Sequence, residues 1–87
     1  MDIVVRSVVC SKAGRDKGRF FAVLSLEDDF AYIADGDLRK LEKPKRKKLK
    51  HLAPTKTVFS ENQVSSDKLL YDAIKECFYS CDRHKEE

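Results

Sequence analysis

The chain has 87 residues, with 18 Lys+Arg against 15 Asp+Glu, 41% hydrophobic and 9% aromatic residues. At this length folding buries only about 60% of the surface that the unfolded chain exposes, which excludes a multidomain enzyme and a deep active-site cavity. No run of about 20 apolar residues is present to cross a membrane, and the N-terminal segment lacks the basic, apolar and small-residue order of an export signal, so the expected location is cytoplasmic.

From Ile3 to Cys10 the run IVVRSVVC is rich in valine, whose branched Cβ fits a pleated surface, and it predicts a first strand. SKAGRDKGR follows, where Gly14 and Gly18 supply two permissive backbone positions, and predicts a reversal. FFAVLSL, Phe20 to Leu26, reads as a second strand. The acidic turn Glu27-Asp28-Asp29 then leads into FAYIA, a third strand with Phe30, Tyr32 and Ala34 on one face and Ala31 and Ile33 on the other. In so small a core Phe30 and Tyr32 are expected to be buried. Asp35-Gly36 is a hairpin signal and predicts a short strand over Leu38 to Leu41 that pairs back.

Lys43-Pro44 interrupts the pattern, because proline lacks an amide donor and biases its predecessor towards extended geometry. KRKKLKHL, Lys45 to Leu52, is read as a strand, although the spacing of Leu49 and Leu52 also permits a helical turn. Ala53-Pro54-Thr55 ends the basic half, and Thr57 to Ser66 is a polar connection. From Asp67 the residues Leu70, Ile74, Cys77 and Cys81 recur at helical spacing. Ser65 or Ser66 is placed to cap that helix, Asp67 lies beside the positive end of its dipole, and Arg83, His84 and Lys85 fall in or past its last turn. The expected architecture is mainly β with a C-terminal α-helix. A small barrel spans residues 1–56, and residues 57–87 form a polar connection and an amphipathic helix packed on the same domain.

Charge is polarised along the chain. Residues 1–56 hold 14 Lys+Arg and 8 Asp+Glu, a net of +6, whereas residues 57–87 hold 4 and 7, a net of −3. Such asymmetry points to a polyanion meeting one end. Two clusters supply most of the positive charge: Lys12, Arg15, Lys17 and Arg19 in the first turn, then Arg39, Lys40, Lys43, Lys45, Arg46, Lys47, Lys48 and Lys50. In a barrel of short strands the two are expected at one rim, where Arg and Lys make charge-assisted bonds to phosphate oxygens and the bare glycine backbone permits close approach.

AGRDKGRFFAVL, Ala13 to Leu24, resembles the KOW motif of ribosomal and transcription-associated proteins. The longer stretch from Val4 to Thr55, with SKAGRDKGR, IADG, LRK and KPKRKKLKHL in order, resembles the fourteen-e family of archaeal and eukaryotic large-subunit ribosomal proteins and bacterial KOW-domain RNA-binding proteins. The resemblance implies an SH3-like β-barrel, binding to structured RNA, ribosomal RNA first among candidates, and association with the large ribosomal subunit or its precursor. It also implies RNA contacts at the turn, Gly14, Arg15, Asp16, Lys17, Gly18 and Arg19, and along the basic strand from Lys45 to His51. Phe21 stands where many KOW motifs carry a further glycine. Recognition is expected through shape, 2′-hydroxyls and phosphates, because the major groove of an RNA helix is deep and narrow.

Other chemistry has less support. Cys77, Cys81 and His84 share a helical stripe, but with Cys10 as the only further thiol they do not form the paired short-turn ligands of a zinc site, so the helix cysteines are expected in the core. An odd count of three cysteines argues for reduced thiols over a disulfide framework. No Ser-His-Asp pattern or phosphate loop is present, and the expectation is a non-enzyme without cofactor or metal. A competing class is a protein-interaction module that docks through the acidic C-terminal helix. A nuclear-localisation reading of KPKRKK ranks third, since the peptide lies between two predicted strands. Oligomeric state is not legible.

Overall fold

The computed structural model describes residues 3–79. Five strands, β1 (Ser7–Ser11), β2 (Phe20–Glu27), β3 (Phe30–Ala34), β4 (Lys45–Lys48) and β5 (Leu52–Val58), form one antiparallel sheet in the order β4-β3-β2-β1-β5. A single 3₁₀ turn, Leu49–His51, separates β4 from β5. Helix α1 (Asp67–Ile74) follows and continues into a π-helical turn, Lys75–Tyr79.

Alternation along the strands divides the core in two. Val8 of β1, Ala22 of β2 and Ala34 of β3 meet Phe59 and the α1 residues Leu70, Ala73 and Ile74 on one face. Val9, Phe21, Val23, Ala31, Ile33 and Leu52 cluster on the other. Both faces of β1 are therefore dry, which is why valines run consecutively there. Ser66 caps α1, its hydroxyl accepting from the Leu69 amide at 3.2 Å.

Several expectations are corrected. The first strand begins at Ser7, because the Ser7 hydroxyl accepts from the Val4 amide at 2.9 Å and the Ser7 amide donates to the Val4 carbonyl, closing a turn that leaves Val4 and Val5 exposed. No strand forms over Leu38 to Leu41. The Asp35 carboxylate accepts from the amides of Asp37 and Arg39, both at 2.9 Å, while the Asp35 and Gly36 amides both donate to the Arg39 carbonyl, so the chain turns back in a side-chain-capped loop with no strand ladder. β3 pairs instead with β4. The predicted strand from Lys45 to Leu52 is two strands parted by the 3₁₀ turn.

Pro54 lies inside β5, tolerated because β5 is an edge strand. A register shift in the β1–β5 pairing falls beside it, and the Thr55 hydroxyl donates to the Val8 carbonyl at 2.7 Å. Of the polar connection, Thr57 and Val58 belong to β5 and Phe59 is buried. The π turn shifts the helical stripe, so Cys77 is exposed while Phe78 stacks on Phe20 with ring centroids 4.3 Å apart. Cys81, Arg83, His84 and Lys85 lie outside the described residues.

Candidate nucleic-acid interface

The joint between the two basic clusters is an acid. Asp16, in the turn between β1 and β2, is buried, and its Oδ1 accepts from Lys47 Nζ of β4 at 2.7 Å and from the Ser11 hydroxyl at 2.8 Å. Lys45 Nζ lies 3.4 Å from Oδ2. Lys47 also donates to the Ala13 carbonyl at 2.7 Å, so one ammonium clamps both ends of the turn's first half. Burial pushes the Asp16 carboxyl up. The hydrogen bonds from Lys47 and Ser11, with the charges of Lys47 and Lys45, outweigh it and hold the group at about 2 against an ordinary 3.8.

The turn's glycines serve different needs. Gly14 and Gly18 both have positive φ, 86° and 89°. A Cβ on Gly14 would stand 3.5 Å from Lys47 Nζ, whereas one on Gly18 would meet nothing within 4 Å. The turn is thus shaped by backbone torsion and pinned by Asp16.

Around this joint Arg15 of the turn, Arg39 of the loop after β3 and Lys45 of β4 line one open cleft of about 450 Å³, with Asp16, Phe21 and Leu38. Arg19 is held by Asp35 at 3.3 Å and Asp37 at 3.5 Å. The cleft offers cations, a wall of apolar carbon and exposed Leu38. Among the described residues it is lined by no histidine, serine or cysteine, and the one carboxylate there is ion-paired.

The remaining predicted contacts do not all converge there. Strand alternation sends Lys45 and Lys47 towards Asp16 and sends Arg46 and Lys48 to the opposite face. There Arg46 packs its guanidinium 3.6 Å from the Phe30 ring centroid, and Phe30 and Tyr32 are half-buried, not core. The Tyr32 hydroxyl donates to Glu27 at 2.8 Å, a bond that raises its pKa above 10.0. Lys48 and Lys50 line a second cleft of about 450 Å³ with Asp29, Phe30 and Leu49. Lys12 and His51 are neighbours through the Lys12 amide, which donates to the His51 carbonyl at 2.8 Å. Lys40 Nζ lies 3.4 Å from the Gly36 carbonyl, and Lys43 is exposed in the connection before β4. Lys17 and Gly18 lie in a third cleft, with Arg19. One basic rim was expected; the cations occupy several surfaces.

Sequence reasoning missed the joint itself. The available signal was a single carboxylate, Asp16, inside a turn otherwise basic from Lys12 to Arg19. Among the described residues no cluster of three or more His, Cys, Asp or Glu side chains is placed to hold a metal, and no helix is long and apolar enough to cross a membrane. The chain matches no protein-family model, and no curated protein matches it either.

Proposed function

We propose that the protein binds structured RNA, ribosomal RNA in the first instance, through the cleft of Arg15, Arg39 and Lys45, as a KOW-type, non-enzymatic component associated with the large ribosomal subunit or its precursor. The observation that carries this reading is the convergence on one open cleft of Arg15 from the first basic cluster with Arg39 and Lys45 from the second. Cations spread by chance over a solvated face need no buried carboxylate to join their segments; here Asp16 and Lys47 join them.

An SH3-like barrel belongs to the same proposal. Supporting it, Leu52 of β5 shares a core cluster with Ala31 and Ile33 of β3, although β1 and β2 stand between those strands in the sheet. A strongly curled sheet brings such residues together. Arg15, Arg39 and Lys45 then neutralise phosphates and release condensed counterions, and affinity falls with salt at a log–log slope of about −0.7 to −0.9 per phosphate contacted. Lys47 acts one step back, holding the turn in place.

Sedimentation of the tagged full chain from a lysate through sucrose gradients tests the proposal. The expected result is co-migration with large subunits or their precursors, lost on RNase digestion, on raised salt and in Arg15→Glu/Arg39→Glu. A protein that stays at the top of every gradient, or co-migrates regardless of RNase and of that double substitution, overturns it and favours docking through the helix.

A further inference from the structure

Gly36, with φ of 79°, lies so close to α1 that a Cβ there would overlap the Asp67 carbonyl and stand 3.0 Å from the Tyr71 amide nitrogen. The loop after β3 and the start of α1 are therefore in direct backbone contact. The Leu41 amide, donating to Asp67 Oδ1 at 2.8 Å, closes the same joint from the far end of the loop. A backbone-to-backbone contact has little slack, so it sets where the end of the helix falls relative to the basic turn.

Tyr71 and Lys75, one helical turn apart on a single face, line an open cleft of about 350 Å³ together with Lys17, Gly18, Arg19 and Asp37. Tyr71 is 39% exposed, and Lys75 is exposed with its Nζ 5.9 Å from the Tyr71 ring centroid. Arg19 answers Asp37, and among the described residues Lys17 and Lys75 make no ion pair. Two cations, an aromatic hydroxyl and a glycine with open space above it thus face one groove, drawn from both the basic half and the acidic half of the chain.

We propose that this cleft is a second phosphate-binding site for the same RNA, and that α1 and the π-helical turn continuing it are part of the RNA-binding surface through Tyr71 and Lys75. The inference rests on the RNA-binding reading and extends it. Continuity supports a single occupant: the turn gives Arg15 and Asp16 to the first cleft and Lys17, Gly18 and Arg19 to this one, while the loop gives Leu38 and Arg39 to the first and Asp37 to this one. A sugar-phosphate backbone leaving the first cleft across the turn arrives between Lys17 and Lys75. Their ammonium groups pair with its phosphate oxygens, and the Tyr71 hydroxyl donates to a phosphate or ribose oxygen.

The test is fluorescence anisotropy of a labelled ribosomal RNA fragment titrated with the full chain at several salt concentrations. Lys75→Glu and Lys75→Gln are compared with Lys56→Glu, which carries the same charge change as Lys75→Glu on β5 and lines none of the three clefts, and melting curves check folding. The expected result is a roughly three- to tenfold loss for Lys75→Glu, a smaller loss for Lys75→Gln, and a salt slope shallower by about one phosphate contact for both. Tyr71→Phe should weaken binding without changing that slope. If Lys75→Glu and Lys56→Glu behave alike while Arg15→Glu/Arg39→Glu abolishes binding, the helix site is wrong and the first cleft stands. If the unaltered chain does not bind the RNA, both fall, and the helix face becomes a candidate for a protein partner.

Discussion

Lys47 and Asp16, separated by 31 positions in the chain, meet at 2.7 Å with side chains 8% and 9% exposed. The pair is the tie between the glycine turn and β4, and it converts a lysine from the most basic run in the sequence into an internal strut. Removing Lys47 leaves the buried Asp16 carboxylate with only the longer 3.4 Å contact to Lys45 to compensate its charge. Lys47→Ala is therefore expected to lower stability by about 3 kcal/mol, the low end for a broken buried pair because Lys45 remains, read from urea unfolding. Adding Asp16→Ala should cost less than the sum of the single changes, because the carboxylate left under-compensated by the loss of Lys47 is gone.

Acid stability follows from the same carboxylate. Its folded pKa is about 2 and its ordinary value 3.8, so between these pH values the unfolded chain binds more protons than the folded one. Stability from Asp16 is thus complete above about pH 4 and is lost as pH falls through about 2, amounting to at most about 2 kcal/mol. Urea midpoints measured from pH 5 down to 2 should fall more steeply for the unaltered protein than for Asp16→Asn. Parallel curves would show that the carboxylate is not held by Lys47.

Two glycines with similar torsions should respond unequally to alanine. Gly18, φ 89°, has open space where a Cβ would stand, so Gly18→Ala carries only the left-handed backbone cost of about 1–2 kcal/mol. Gly36, φ 79°, adds an overlap with the Asp67 carbonyl, and Gly36→Ala should cost about 3 kcal/mol or more. Thermal melts of the two variants side by side decide this. Equal shifts would mean that α1 is not seated on the loop.

Loss of the α1 cap gives a smaller effect. Ser66→Ala removes the acceptor for the Leu69 amide and should lower stability by about 1 kcal/mol, seen as a lower melting temperature in circular dichroism. Ser66→Asp should restore it.

Strand identity was readable wherever β-branched and aromatic residues ran together, as in VVC of β1 and FFAVL of β2, because both sheet faces demand apolar side chains. The helix start was readable from Ser66 and Asp67, since capping is chemistry between near neighbours. Asp35-Gly36 misled for an equally local reason: the same dipeptide that makes a tight hairpin can cap a wider loop with its carboxylate, and which occurs depends on α1 arriving against Gly36. The basic run from Lys45 to Lys50 misled differently. Its residue types mark an anion-binding surface, but once Lys45–Lys48 is a strand, the period of two divides its cations between two faces.

By itself, the sequence determined composition-level properties: a small mainly-β chain ending in a capped helix, with positive charge concentrated before residue 57 and glycines where the first turn needs positive φ. These depend on torsional preference, side-chain shape and charge, which each residue carries with it. Only the tertiary structure decided which cations face solvent together. It pairs β3 with β4, draws Lys47 inward onto Asp16, leaves Arg15, Arg39 and Lys45 around one cleft, and seats Tyr71 and Lys75 beside Lys17. Those relations are set by strand register and by backbone contact between segments far apart in the chain, and no local pattern encodes either.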